Sequence, residues 1–280
     1  MSLNGILVVN KEAGLTSHDV VAKVKKVLGE RVGHTGTLDP NATGVLPLLI
    51  GKGTGLAKYL INHDKTYIAT LKLGEKTDTA DSEGNVIEAK AVKEISKEKV
   101  EEVLISFLGK QEQIPPMYSA IKVNGKKLYE YARKGEKVNL KPRQIEIYSI
   151  KLIELIGLEI IFEVSCSKGT YIRSLCEDIA EKLGTVGYMK ALKRTVVGEF
   201  NIENSVKIDE IDKSKIISIE KFLKDKEDII LELSKLELFL NGGRIKVKLA
   251  DEVYRVYNVD NDFIGSGVVV NGLLKRDIIL

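Results

Sequence analysis

The chain has 280 residues, and 43 Lys and Arg against 40 Asp and Glu leave a formal net charge of +3, too small a bias to name a partner. With 44% hydrophobic and 30% charged residues the composition is that of an ordinary globular protein, which excludes disorder as its main theme and suits a large domain plus a small one. No run approaches the roughly 18 apolar residues of a membrane span, the N-terminus lacks the marks of a secretion signal, and Cys166 and Cys176 suit neither a disulfide framework nor a zinc site; a cytoplasmic protein without metal is expected.

Ile6 to Val9 is an apolar, β-branched run, the pattern of a buried strand. Thr16-Ser17 then caps a helix whose apolar positions, Val20, Val21, Val24, Val27 and Leu28, recur at helical spacing. Arg31 to Gly44 is dense in Gly and Thr with no hydrophobic period and predicts a loop held by its neighbours. Gly55 to Ile61 predicts a short helix, Thr66 to Leu73 an alternating half-buried strand, and Ser96 to Leu108 a second capped helix. Beyond Pro115-Pro116, Asn124-Gly125 signals a turn before a short basic helix around Leu128 to Arg133.

Between Lys122 and Arg143 eight basic residues stand against two acidic ones, Glu130 and Glu136. Such a run is either a solvated helix face or an arm that binds phosphates. Ile145 to Leu155 and Leu158 to Ser167 flank Ile156-Gly157 as an antiparallel hairpin, and a helix is expected from a Thr170 cap through Leu175, Ile179 and Leu183. Strands follow strands without a regular βαβ repeat, which predicts an α+β fold on a mixed, largely antiparallel sheet with flanking helices. From Glu203 to Glu237 the pattern is largely helical. A domain boundary near residue 226 leaves 227–280 as a small β-barrel, with Asn258 to Asn261, Gly265-Ser-Gly267 and Asn271-Gly272 as its turn signals.

Gly51-Lys52 is not a Walker loop, since Gly53 follows where Ser or Thr belongs and Leu46 stands where the first glycine belongs. Hydrolase elbows and zinc-protease motifs are absent as well. The residue that stands out is Asp39, followed by Pro40 and flanked by Gly36 and Gly44. Proline holds the residue before it in extended conformations, and the glycines let a ligand approach closely. An ordinary turn has the same composition, because Asp before Pro commonly starts one.

Gly33-His34-Thr-Gly-Thr-Leu-Asp39-Pro-x-Ala-Thr-Gly44-Val-Leu resembles the catalytic motif of the TruB family, tRNA pseudouridine synthases acting on uridine 55 of the T loop. The resemblance continues through Lys65-Thr-Tyr67-x-Ala-x-Leu-x-Leu-Gly74, Asp78-Thr-Ala-Asp81-x-x-Gly84, Gln113-x-Pro-Pro116-x-Tyr-Ser-Ala-x-Lys122, Gly169-Thr-Tyr-Ile-Arg173-Ser-Leu and Leu192-x-Arg-Thr-x-x-Gly-x-Phe200. These blocks run in order over about residues 5 to 200, and the C-terminal piece is similar to the family's PUA domain, an RNA-binding β-barrel. Glu12, after Lys11, departs from the family by standing where Pro is usual.

The resemblance implies an isomerase that needs no cofactor, with the tRNA T arm as its partner, and no obligate protein partner is expected, which makes the chain a monomer. It implies that Asp39 attacks the target nucleoside, that Arg173 holds the carboxylate ionised, and that Tyr67 stacks on the flipped base. Tyr171 and Leu192 would line the uracil pocket, His34 would touch RNA beside it, and Asp81 and Lys11 would stand near. An insertion at about 117–143 would grip the T arm through Lys122, Lys126, Lys127, Arg133 and Lys134.

Taken without the resemblance, the same residues have plainer roles. Tyr67, Tyr171 and Leu192 suit a core, Arg173 could pair with Glu177 one turn on, His34 and Asp81 suit loops, and Lys11 a strand end. Two other functions use the same features: a non-catalytic RNA binder in which Asp39 is structural, and a related synthase that acts on another RNA with accessory proteins.

Overall fold

The computed structural model describes residues 3–280 except 120, 124, 133 and 137. The first apolar run becomes strand β1 (Gly5–Lys11), buried along nearly its whole length. Helix α1 (Ser17–Leu28) is closed reciprocally: the Asp19 N–H donates to Thr16 Oγ1 at 3.1 Å and the Thr16 N–H to Asp19 Oδ2 at 2.8 Å, satisfying two otherwise orphan donors. Val20, Val24 and Leu28 face the core while Val27 is 57% exposed, so the apolar stripe is narrower than its spacing suggests. Part of the expected loop is strand. β2 (Val32–His34) pairs antiparallel with β3 (Thr43–Ile50), and three residues at a sheet edge are too few to show a period.

The main sheet is completed by β4 (Lys65–Leu73), then, after helix α2 (Lys97–Ile105), by β5 (Gly109–Gln113), β6 (Arg143–Ile156) and β7 (Glu159–Cys166), and, after helix α3 (Ile172–Lys182), by β8 (Gly187–Val197). Its order is Ile217–Ser218, β1, β3, β8, β4, β7, β6, β5, with β2 on β3 and Phe200–Asn201 on β8. Every pairing is antiparallel except β3 with β8, the mixed sheet expected. No strand was expected at β8, whose alternation is broken by register shifts after Met189 and Arg194, yet it lies in the middle of the sheet.

Helices α2 and α3 cover one face over a core that includes Leu71, Ile160, Phe162, Leu175 and Ile179; burying each such side chain contributes roughly 1.5–3 kcal/mol. Tyr171, not Thr170, precedes the first turn of α3, and the Thr170 hydroxyl donates to the Ser167 carbonyl at 2.9 Å instead.

The stretch Glu203 to Glu237 is not largely helical. It holds short 3-10 turns at Ile202–Asn204, Ile208–Glu210 and Lys213–Lys215 and a four-residue helix at Ile219–Phe222. The side chains of Asn201, Asp212 and Ser218 accept from the N–H groups of Asn204, Ser214 and Lys221, capping the N-terminal end of three of these short turns.

The last residues of that stretch enter a five-stranded sheet of β9 (Asp228–Ile230), β10 (Ile245–Lys246), β11 (Val253–Tyr257), β12 (Phe263–Val270) and β13 (Leu273–Ile279), with helix α4 (Leu233–Leu240) between β9 and β10. The order is β9-β11-β12-β13-β10. Phe239 of α4 packs among Tyr254, Val256, Val269 and Leu274, and the sheet curls as a half-barrel. Gly265 and Gly267 lie inside β12 rather than in a turn, because a Cβ on Gly265 would come within 2.0 Å of the Ile278 carbonyl oxygen. Ile278 joins the core beside Leu56 and Leu60, and Asp277 accepts from Lys58 and Tyr59, so the two sheets share a seam. No described helix is long and apolar enough to cross a membrane.

Candidate active site

The loop between β2 and β3 is held from beneath by groups far away in sequence. Ser17, at the start of α1, donates its hydroxyl to the Leu38 carbonyl at 3.2 Å and accepts from the Leu38 N–H at 2.9 Å. Lys11 is fully buried, and its ammonium donates to the carbonyls of Pro40 at 2.8 Å, Leu15 at 2.6 Å and Glu12 at 3.0 Å. Arg194, 1% exposed, donates from Nε to the Val45 carbonyl at 2.8 Å and from Nη2 to the Gly36 carbonyl at 2.9 Å. Gly36 has φ 73°, a backbone that favours glycine.

Strand register places Gly44, Arg194 and Tyr67 in one row across β3, β8 and β4. A Cβ on Gly44, whose φ is 103°, would lie 2.1 Å from the Arg194 carbonyl oxygen, which is why the motif has glycine there. Burial raises the Tyr67 phenol above its usual pKa, against the nearby Arg194 guanidinium, which lowers it.

Onto this platform the loop sets Asp39, whose side chain remains 39% exposed. Arg173 of α3, almost buried, lies 3.3 Å from Asp39 Oδ2 through Nε and 3.3 Å from Asp81 Oδ2 through Nη1; its Nη2 also donates to the Tyr118 carbonyl at 2.9 Å. Glu177 pairs with Lys76 instead, so the one-turn helix pair with Arg173 does not form. Asp81 is itself fixed, accepting from Thr79 Oγ1 at 2.6 Å and the Glu83 N–H at 3.0 Å. Ala80 before it has φ 62°, strain of the kind that clusters at functional sites. Burial pushes the Asp39 carboxyl above the usual carboxylate range; Arg173 opposes that push and Asp81 adds to it.

Asp39, Tyr67, Tyr171, Arg173, Met189 and Leu192 line a cavity of about 120 Å³, small beside the roughly 300–1,000 Å³ of most ligand pockets. It suits one ring. Tyr171 is positioned by Gln113, which accepts from its N–H at 2.8 Å and donates to its carbonyl at 3.0 Å. The structure thus brings Asp39, Arg173, Tyr67, Tyr171, Leu192 and Asp81 together. Lys11 sits beneath, as neither a surface lysine nor a free cation.

His34, at the end of β2, stacks edge-on with His18 at 5.4 Å between centroids, and its buried Nδ1 has no hydrogen-bond partner among the described residues. Burial, then the positive side of His18, lowers its pKa.

The basic segment leaves directly from this site. Ile114 accepts from Ser174 Oγ at 3.0 Å and Tyr118 from Arg173, after which Lys122–Val123 and Lys126–Lys127 pair as a small hairpin followed by the helix Leu128–Ala132. Lys122, Lys126 and Lys134 are exposed and Lys127 is half-buried; Arg133 lies outside the described residues. Arg194 and Gln113 are site residues that sequence reasoning missed, although both stand inside the motif blocks. Arg194 follows Lys193 in a segment with no clean alternation, so nothing local marked it as buried. Among the described residues, no three His, Cys, Asp or Glu gather so as to hold a metal ion.

Comparison with known proteins places the fold and the chain in the pseudouridine synthase class of enzyme. The model described as "TruB family pseudouridylate synthase (N terminal domain)" matches residues 24–172, and that of the "tRNA pseudouridylate synthase B C-terminal domain" matches residues 173–236. The chain belongs to the TruB family. Proteins named tRNA pseudouridine synthase B from Clostridium kluyveri and Caldanaerobacter subterraneus subsp. tengcongensis are 46% and 44% identical, over 95% and 96% of this chain and 96% of each relative. Among solved structures, a Cbf5-Nop10-Gar1 complex matches with TM-score 0.68 at 25% identity, covering 95% of this chain and 78% of that one. An H/ACA RNP bound to a substrate RNA containing 2'-deoxyuridine matches the fold with TM-score 0.69 at 22% identity, over 99% and 85%.

Proposed function

We propose that this chain converts uridine 55 in the T loop of tRNA to pseudouridine, with Asp39 attacking the target nucleoside. The observation that carries the reading is the Asp39 carboxylate at the one-ring cavity, 3.3 Å from Arg173 and beside Tyr67. The name carried by its relatives supports tRNA as the substrate.

A T-loop uridine must be extruded before its glycosidic bond can be reached, at a cost of a few kcal/mol. The Tyr67 ring offsets that loss by stacking, and Tyr171 and Leu192 close the cavity around the base. Asp39 acts as a carboxylate nucleophile. The bond from uracil N1 to ribose C1' breaks, the base turns, C5 bonds to C1', and the C5 proton leaves as N1 gains one. Substrate and product hold the same atoms, so no cofactor enters. Attack on the base and attack on the sugar carbon use the same carboxylate.

Arg173, with Asp81 on its far side, keeps Asp39 ionised and aimed, while Lys11 positions the loop and His34 meets the RNA at its rim. The basic insertion grips the T arm through Lys122, Lys126, Lys127, Arg133 and Lys134, and residues 227–280 act as a PUA-like unit that lengthens the footprint beyond the catalytic unit 1–226. The enzyme works as a monomer in the cytoplasm. Asp39→Asn is expected to abolish pseudouridine formation in a T-arm stem-loop while leaving its binding in place; normal turnover by that variant would overturn the mechanism. Mapping pseudouridines in tRNA incubated with the pure protein tests the position.

A further inference from the structure

The Gly51-Lys52-Gly53-Thr54-Gly55 segment takes no part in the site above. It forms the 3-10 turn Gly51–Leu56 on the seam between the two sheets. A Cβ on Gly53 would lie 2.2 Å from the Gly5 carbonyl oxygen, and one on Gly55 2.9 Å from Ile278 Cγ1. The turn is therefore pressed against β1 and β13, and beside it opens a cleft of about 690 Å³ lined by Glu30, Arg31, Lys52, Arg276 and Asp277 among others.

Three exposed cations meet there from separate parts of the fold: Arg31 from the link into β2, Lys52 from the turn, and Arg276 from β13. Among the described residues, no carboxylate lies within ion-pair distance of any of the three. The acids of the cleft are occupied elsewhere. Asp277 pairs with Lys58 and accepts from Tyr59 and Ser266, and Glu30 accepts from the Leu3 N–H at 3.1 Å. Arg276 is set in place, since Nη1 donates to the Leu240 carbonyl at the end of α4 at 2.6 Å.

Unpaired Arg and Lys side chains on an open, polar surface suit phosphodiester oxygens, which they bind without reading base sequence. Strand β2 links the cleft to the catalytic loop along the chain. Arg31 immediately precedes β2, and His34 at the end of that strand begins the Asp39 loop, a run of three strand steps or roughly 10 Å.

We propose that this cleft is a second phosphate-binding surface, which takes RNA backbone outside the target loop and holds it across both sheets. The inference rests on the reading of tRNA as substrate. Its occupant is an RNA strand longer than the T-arm hairpin alone, because the cations come from both sides of the seam and none of them lines the cavity.

The test uses the full chain carrying Arg31→Gln, Lys52→Gln and Arg276→Gln together, and separately Lys52→Glu, because the Lys52 side chain forms no ion pair with the described residues. Binding of a full-length tRNA transcript and of a T-arm stem-loop is followed from about 50 to about 300 mM salt, with pseudouridine formation measured on both RNAs. The expected result is a log affinity against log salt slope for tRNA shallower by about 2–3 in the triple variant and a low-salt affinity weaker by about tenfold or more. The stem-loop slope stays as in the parent, and Lys52→Glu weakens tRNA binding in the same direction. An unchanged slope for tRNA, or an equal loss on both RNAs, overturns the cleft. A parent chain that forms no pseudouridine while the slope still falls overturns the substrate reading and leaves the cleft standing.

Discussion

At Asp39 burial raises the carboxyl pKa while the Arg173 guanidinium 3.3 Å away lowers it, so ionisation of the proposed nucleophile depends on that pair. A carboxylate that must be charged to react loses activity as pH falls through its pKa. The acid limb of kcat/KM is therefore expected above the value of about 3.9 of a free aspartate, and Arg173→Met should move it higher while lowering kcat/KM at pH 7 about 100-fold or more. A pH-rate profile with an unmoved limb would separate the two residues. Lys11 gives the opposite sign. Burial brings its pKa down to about 8, with Asp39 resisting, and its three carbonyl acceptors use all three N–H bonds of the ammonium, of which an amine keeps two. The rate should fall as pH rises through about 8, and Lys11→Met should remove that limb at a lower plateau; a flat parent profile to pH 9.5 would sink the idea. Asp39 was legible in the sequence because Pro40 and its flanking glycines are local. Lys11 and Arg194 were not, since buried cations contradict hydrophobic patterning and their partners are backbone carbonyls, which leave no trace in composition.

Among the elements, those with a strong period were legible: α1 with its capping pair, β4, and the hairpin of β6 and β7 around Gly157. β8 was hidden by its two register shifts, and the 203–237 stretch imitates a helix because its apolar spacing and capping residues are those of helices while its turns stay three or four residues long. The parallel seam between β3 and β8 leaves no space at Gly44. Gly44→Ala should cost more than about 4 kcal/mol in urea unfolding, the range reached by changes that force backbone apart. Gly14→Ala, where φ is 81° and nothing lies within 4 Å of the new Cβ, should cost only its backbone strain, on the order of 1–3 kcal/mol. Similar losses for both would mean that close packing at the seam is not what requires glycine.

For the whole molecule, charge is arranged rather than abundant. The chain's excess of three basic residues conceals a segment, Lys122 to Arg143, in which they outnumber acidic ones eight to two. Neutralising Lys126, Lys127, Arg133 and Lys134 together should flatten the salt dependence of stem-loop binding, by up to about 0.7–0.9 in slope per lost phosphate contact; an unchanged slope would remove this arm from RNA binding. The arm's charge was legible because it is contiguous, whereas its attachment to Arg173 and Ser174 depends on a tertiary path no local pattern records. The parallel pairing of β3 with β8 has a consequence in time. Thr43 and Gly44 must wait for Lys193 and Arg194, about 150 residues later in synthesis, before β3 gains β8 beside the β1 and β2 it already pairs with. Until then the Gly36 and Val45 carbonyls lack their arginine and the cavity lacks one wall, so a growing chain on the ribosome carries the whole Asp39 motif for most of its synthesis without a working site.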